Sequence, residues 1–230
     1  KGWLSNENGG GLVKDTDQVS DIAYVGPDAQ VYENARVFGN ACVSGNAQIY
    51  ENARVYGDTR VSGNAQIYEN ARVFGNAQVF EDARASESAR VFGSARVYGN
   101  AWVYGNARVS GRAWVFGSAQ VFEEALLSGN AWVYEDAWVC EDARVCGNAL
   151  VCGNAWVYGD TRVSGNARVF ENAQVFEEAR ISGNAWVYED TQVFGKARIS
   201  GNAWVYGDAQ VFEEALLSGN ARVSTGHLVE

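Results

Sequence analysis

"GNAWVYEDTQVFGKARIS" occupies residues 183–200, and "GNAWVYGDAQVFEEALLS" fills residues 201–218. The chain nearly repeats itself in units of eighteen, and inside each unit runs a period of six. Stepping by six from Val13 to Val229 visits 37 positions, and 36 of them are Val, Ile or Leu; Ala85 is the exception. Two residues before each of these, from Ala23 to Ala221, stands Ala, replaced only by Thr59, Thr161 and Thr191. A fixed internal period outranks every other signal in deciding a fold.

One hexad, Asn-Ala-Arg-Val-Phe-Gly, has Ala and Val two apart, so an extended segment points both to one face and Arg and Phe to the other. Gly-Asn then supplies a turn, because both residues tolerate positive φ. A helix would need apolar spacings of three and four. Each hexad is therefore a short strand and a corner. Three hexads make a triangular coil of eighteen residues, and the stacked coils fill their interior with Ala and Val. About eleven such coils are expected in an all-β, parallel solenoid without loop insertions. The unbroken frame predicts a cap over residues 1–12, a solenoid over 13–224 and a tail over 225–230 carrying His227.

The register of "VFGNAR" and "VYGNAW" resembles the hexapeptide-repeat superfamily, the left-handed parallel β-helices. Left-handedness is what the resemblance implies, since ordinary crossovers are right-handed. The lead-in "GGGLVKDTDQVSD" (residues 9–21) also looks like that of uncharacterised bacterial YdcK-like repeat proteins. Acyltransferases with this fold use a histidine base and long loops, and its carbonic-anhydrase-like members use three histidines on zinc. This chain has a single histidine and no inserted loop. The reading is non-enzymatic, with no cofactor or metal.

Residues eighteen apart stack, so each outer face is a ladder. One carries Arg36, Arg54, Arg72, Arg90, Arg108, Arg144, Arg162, Arg180 and Arg198. Glu33, Glu51, Glu69, Glu87, Glu123, Glu141, Glu177 and Glu213 lie three residues earlier, and an interleaved Glu–Arg network is expected to neutralise the row. The corner after this face is Gly in eleven consecutive coils, Gly39 to Gly219. A second face stacks Gln beside Tyr and Phe, suggesting amide ladders. The third becomes aromatic: Trp114, Phe116, Trp132, Tyr134, Trp186, Tyr188, Trp204 and Tyr206. So extensive an apolar strip exceeds an ordinary monomer surface. It is read as a self-association face of a structural solenoid that associates through this face or its ends, hence a homo-oligomer, with internal ladder packing or a glycan or protein partner as alternatives.

Cys140, Cys146 and Cys152 are six apart and so face three directions; they and Cys42 are expected to be free thiols, which favours a reducing, cytoplasmic compartment. No apolar run approaches the roughly 18 residues of a membrane span. Eleven coils would extend about 53 Å, where duplex DNA carries about 31 charges. A net charge of -10 imitates DNA poorly, and nucleic-acid binding is not expected. Ice binding would need a flat Thr ladder, which is missing.

Overall fold

The computed structural model describes residues 2–14 and 19–229; Asp15 to Gln18 of the lead-in, Lys1 and Glu230 lie outside the described residues. Apart from the first and the last, every strand follows the hexad. Most are two residues long, one outward and one inward, as in Gln48–Ile49, Arg60–Val61 and Gln66–Ile67. Among the described residues no α-helix occurs, and none is long and apolar enough to cross a membrane. The solenoid makes about 12 turns, close to the expected eleven. It divides into two compact units, residues 1–112 and 113–230.

Each unit contains three parallel sheets, one per side of the coil. In the first unit the first sheet runs through Gln30, Gln48 and Gln66, the second through Arg36, Arg54, Arg72, Arg90 and Arg108, and the third through Tyr24, Cys42 and Arg60. Outward N–H groups donate forward into the next coil: Gln48 to Ala65 at 2.9 Å, Tyr50 to Ile67 at 3.0 Å and Asn52 to Glu69 at 2.9 Å. The Ala and Val positions are removed from solvent almost completely, Ala85 included. That uniform burial, repeated coil by coil, supplies the hydrophobic driving force.

Residues 3–5 pack beside the first coil. Leu4–Ser5 pairs antiparallel with Leu12–Val13, and Trp3 sets its edge against Tyr32 at 5.6 Å. In the second unit the first sheet holds Gln120, Trp138, Trp156, Gln174, Gln192 and Gln210; the second holds Leu126, Arg144, Arg162, Arg180, Arg198 and Leu216. The end of the chain departs from the strict frame. His227 pairs with Gln210 and Leu228 with Val211, so this coil is one residue short. Leu228 takes the inward register and Val229 is left exposed. His227, expected in a tail, stands in a strand with its ring edge-on to Phe212 at 6.1 Å. The shortened turn "STGHL", with Gly226 at φ 87, absorbs the deletion.

The corners show a feature that the composition does not announce. From residue 33 to residue 219 the first corner residue is in the left-handed region, and at twelve of these corners it is Glu, with φ between 56 and 62. Glutamate has a Cβ and no special tolerance for this region, a conformation that costs about 1 kcal/mol or more. Carboxylate bonds offset that cost. Oε2 of Glu81 accepts the N–H of Gly99 at 2.8 Å, Glu135 that of Gly153 at 2.7 Å and Glu177 that of Gly195 at 2.8 Å. At six of these corners among the described residues the carboxylate thus ties its corner to the next coil. The all-Gly corner is close-packed like the others: a Cβ on Gly129 would lie 2.8 Å from the Gly147 carbonyl, and in a mixed corner one on Gly153 would lie 2.7 Å from the Glu171 nitrogen.

Candidate functional site

The eight aromatic residues picked from the sequence all lie on the third sheet of the second unit. Its strands carry, in order, Trp114, Trp132, Leu150, Arg168, Trp186, Trp204 and Arg222. Two Trp pairs are therefore separated by an aliphatic and a cationic rung. Trp114 and Trp132 stack with centroids 5.0 Å apart and planes 4° apart; Trp186 and Trp204 stack at 4.9 Å and 1°. The companion rings follow suit, Phe116 on Tyr134 at 4.8 Å and Tyr188 on Tyr206 at 5.4 Å. Offset stacking at this distance is the favoured aromatic geometry.

Stacking along the coil axis turns ring faces toward each other and ring edges outward. Around Trp186 and Trp204 the covering is complete. The guanidinium of Arg168 lies 4.7 Å from the Trp186 centroid, and that of Arg222 lies 5.0 Å from Trp204. This four-layer sandwich is a cation–π arrangement at both ends. Trp132 differs. The next rung is Leu150, and Trp132 remains 40% exposed. Asn130, Trp132, Asn148 and Leu150 line a shallow groove of about 290 Å³.

Beside this face runs a ladder that the sequence reading missed. Each Asn Nδ2 donates to the Oδ1 one coil on, through Asn130, Asn148, Asn166, Asn184, Asn202 and Asn220, at 2.9 to 3.1 Å. The expected glutamine ladder is represented by Gln210 donating to Gln192 at 3.2 Å. Asn in the corner had been assigned to turn geometry alone; its exact eighteen-residue recurrence was the available signal.

The arginine ladder stacks in strict register, but its expected partners point elsewhere. Glu123 accepts the N–H of Glu141 at 2.9 Å and Glu177 that of Gly195. A positive φ directs these side chains along the axis rather than across to Arg. In the second unit the acids beside the arginines are instead two residues earlier: Asp142, Asp160 and Glu178 line a polar groove of about 180 Å³ with Arg144, Arg162 and Arg180. In the first unit the equivalent positions are Asn34, Asn52, Asn70, Ser88 and Asn106. Adjacent guanidinium charges at strand spacing repel by about 0.9 kcal/mol in water, less in salt.

All four cysteines are free and half-buried. Cys140, Cys146 and Cys152 follow strands of three different sheets, as their spacing predicted. Burial, reinforced by Glu123 and Glu141, pushes the Cys140 thiol up to about 12. Burial also raises Cys152, which accepts a hydrogen bond from Tyr134. Raised thiol pKa values mean poor nucleophiles.

Three parallel sheets per eighteen-residue turn, left-handed corners and an Ala/Val interior define a β-solenoid of the hexapeptide type. A model of the YdcK β-solenoid repeat matches residues 29–46, 47–63, 65–81, 89–105, 95–111, 143–159, 162–177 and 197–213. These segments cover more than half of the chain, and the protein belongs to that family. No curated protein sequence matches it. Among solved structures, it is similar to the UDP-N-acetylglucosamine acyltransferase of Arabidopsis, with 12% identity and a TM-score of 0.43 over 85% of this chain and 71% of that one. It is also similar to a Desulfovibrio desulfuricans G20 protein whose acetyltransferase assignment is provisional, with 9% identity and a TM-score of 0.33 over 86% of this chain and 66% of that one. At these values the similarity assigns no activity to the chain.

Proposed function

We propose that the protein is a non-enzymatic structural solenoid that associates with a second copy through the aromatic face of residues 114–206. The observation that carries this reading is the orientation of the rings. A glycan stacks on ring faces, but here the faces of Trp186 and Trp204 are covered by each other and by Arg168 and Arg222. Outward lies an apolar surface of ring edges in strict register, interrupted by the Leu150 and Arg168 rungs. Such a surface suits a second surface of the same kind, and aromatic residues dominate interface centres.

Six coils at about 4.8 Å, each about 13 Å wide, give roughly 400 Å² of flat area. That is about half of the roughly 800 Å² per partner in a standard interface. Association is therefore expected in the micromolar range, as a two-fold pair. Sedimentation between low and high micromolar concentration tests it. Trp132→Arg places a charge on the exposed ring position and leaves the Trp186–Trp204 sandwich intact, so the variant should stay folded and become monomeric. A wild type that is monomeric at high micromolar concentration refutes the reading. Binding of a neutral glycan that Trp132→Arg abolishes would instead favour the groove at Trp132 as a sugar subsite.

A further inference from the structure

The charge of the chain is unevenly placed. The first unit holds eleven Lys and Arg against twelve Asp and Glu, the second seven against sixteen. Within the first unit the cations concentrate on one sheet. Arg36, Arg54, Arg72, Arg90 and Arg108 face outward, one per coil, paired Cα to Cα in unbroken register. All but the half-buried Arg72 are exposed. The corner before them presents exposed Asn34, Asn52, Asn70, Ser88 and Asn106, where the second unit has Asp142, Asp160 and Glu178 beside its arginines. The carboxylates one residue further back lie toward the tyrosine ladder: Glu33 and Glu51 raise the Tyr32 hydroxyl, after burial itself. The corner after the row begins with glycine, Gly39, Gly57, Gly75 and Gly93, and its one carboxylate, Asp58, accepts the Asn40 amide at 2.9 Å.

We infer that this row of five arginines is a binding surface for a linear acidic polysaccharide, a polyuronate lying along the coil axis. The row is straight and its repeat is the strand spacing, about 4.8 Å. A sugar in an extended 1→4-linked chain advances by about that length and successive sugars face opposite sides, so every second uronate carboxylate meets the row and falls between neighbouring guanidinium groups, whose planar forks match it. The Asn34, Asn52 and Asn70 amides stand beside the row to meet hydroxyls. Nucleic acid fits less well. A duplex packs a charge every ~1.7 Å and winds its phosphates away from any straight row. A single strand needs open aromatic faces, but Tyr56, Phe74 and Phe92 cover one another at 5.0 and 4.9 Å.

The test is titration of the full chain with polygalacturonate at low salt, with neutral dextran, single-stranded DNA and polyphosphate as competitors. Wild type should bind polygalacturonate, lose affinity at least tenfold as salt rises tenfold, and be unaffected by dextran. R54Q/R72Q/R90Q should lose at least tenfold at unchanged circular dichroism, whereas R144Q/R162Q/R180Q should change affinity less than twofold. If the first triple variant unfolds, R72Q alone should still weaken binding about threefold. Failure of wild type to bind, equal loss in both triple variants, or stronger binding of DNA or polyphosphate overturns the assignment.

Discussion

Replacing Glu177 probes why a glutamate occupies a conformation suited to glycine. Its φ is 62, and its carboxylate accepts the Gly195 N–H at 2.8 Å. Glu177→Ala keeps the left-handed strain and loses the bond. The Gly195 amide lies at an exposed corner and regains water, so the loss is the net value of a hydrogen bond, about 1 kcal/mol. Glu177→Gly loses the same bond but recovers about 1 kcal/mol of strain. It also gives up about 0.5–1 kcal/mol through the freer unfolded chain. Glu177→Gln retains an acceptor and should stay within about 0.5 kcal/mol of wild type. The expected order of stability is Glu, Gln, Gly, Ala. Hydrogen exchange at the Gly195 amide is the sharper assay, since protection should drop in the Ala and Gly variants and persist in Gln. Unchanged protection in Glu177→Ala, or a Gly variant more stable than wild type, would refute the idea that the carboxylate offsets the strain.

Three further predictions concern the interior and alkaline pH. Thr191 Oγ1 donates to the Tyr188 carbonyl at 2.6 Å, whereas the buried Oγ1 of Thr161 has no partner; Thr191→Ala should therefore cost about 1 kcal/mol more than Thr161→Ala, as denaturant midpoints will show. Ala85 sits between Ile67 and Val103, next to Ser86, which the Trp102 Nε1 donor reaches at 3.2 Å. Ala85→Val should stabilise by up to about 1 kcal/mol, and a lower melting temperature would show that Trp102 has already drawn the coil in. Burial raises Cys140 from 9.0 and Tyr50 from 10.0, each to about 12. The fold favours both neutral forms, so their stabilising contribution is complete below about pH 9 and lost as pH rises toward 12. A melting temperature that stays level through pH 11 would contradict this.

The hexad made the architecture readable because one inward Ala and one inward Val per strand admit a single register; a shift by one residue would turn Arg and Trp inward. The aromatic residues were correctly placed on one sheet, but their orientation was hidden. It depends on what occupies the next rung, and Leu150, Arg168 and Arg222 decide it differently for each Trp. The Glu–Arg network failed on a dihedral. Three-residue spacing suggests contact only if Glu has ordinary φ, and nothing in the letter E announces φ near 60°. The short last coil escaped because Val229 continues the six-residue count, while pairing geometry selects Leu228.

The forward bonding of each coil to the next has a consequence for how the chain finds its own alignment. Neighbouring coils are nearly interchangeable, so a strand displaced by one full coil meets the same inward Ala and Val it would meet in its proper place. Such a slip is cheap in a repeat whose contacts are only between neighbours. What distinguishes one coil from another is the set of interruptions. Ser86 Oγ accepts a bond from Trp102, Trp132 ends its stack on Leu150, and Arg168 covers Trp186. These irregular rungs act as index marks on an otherwise uniform scale. Making the repeat more perfect, by restoring consensus residues at each, should leave a sturdier coil that counts its own turns less faithfully.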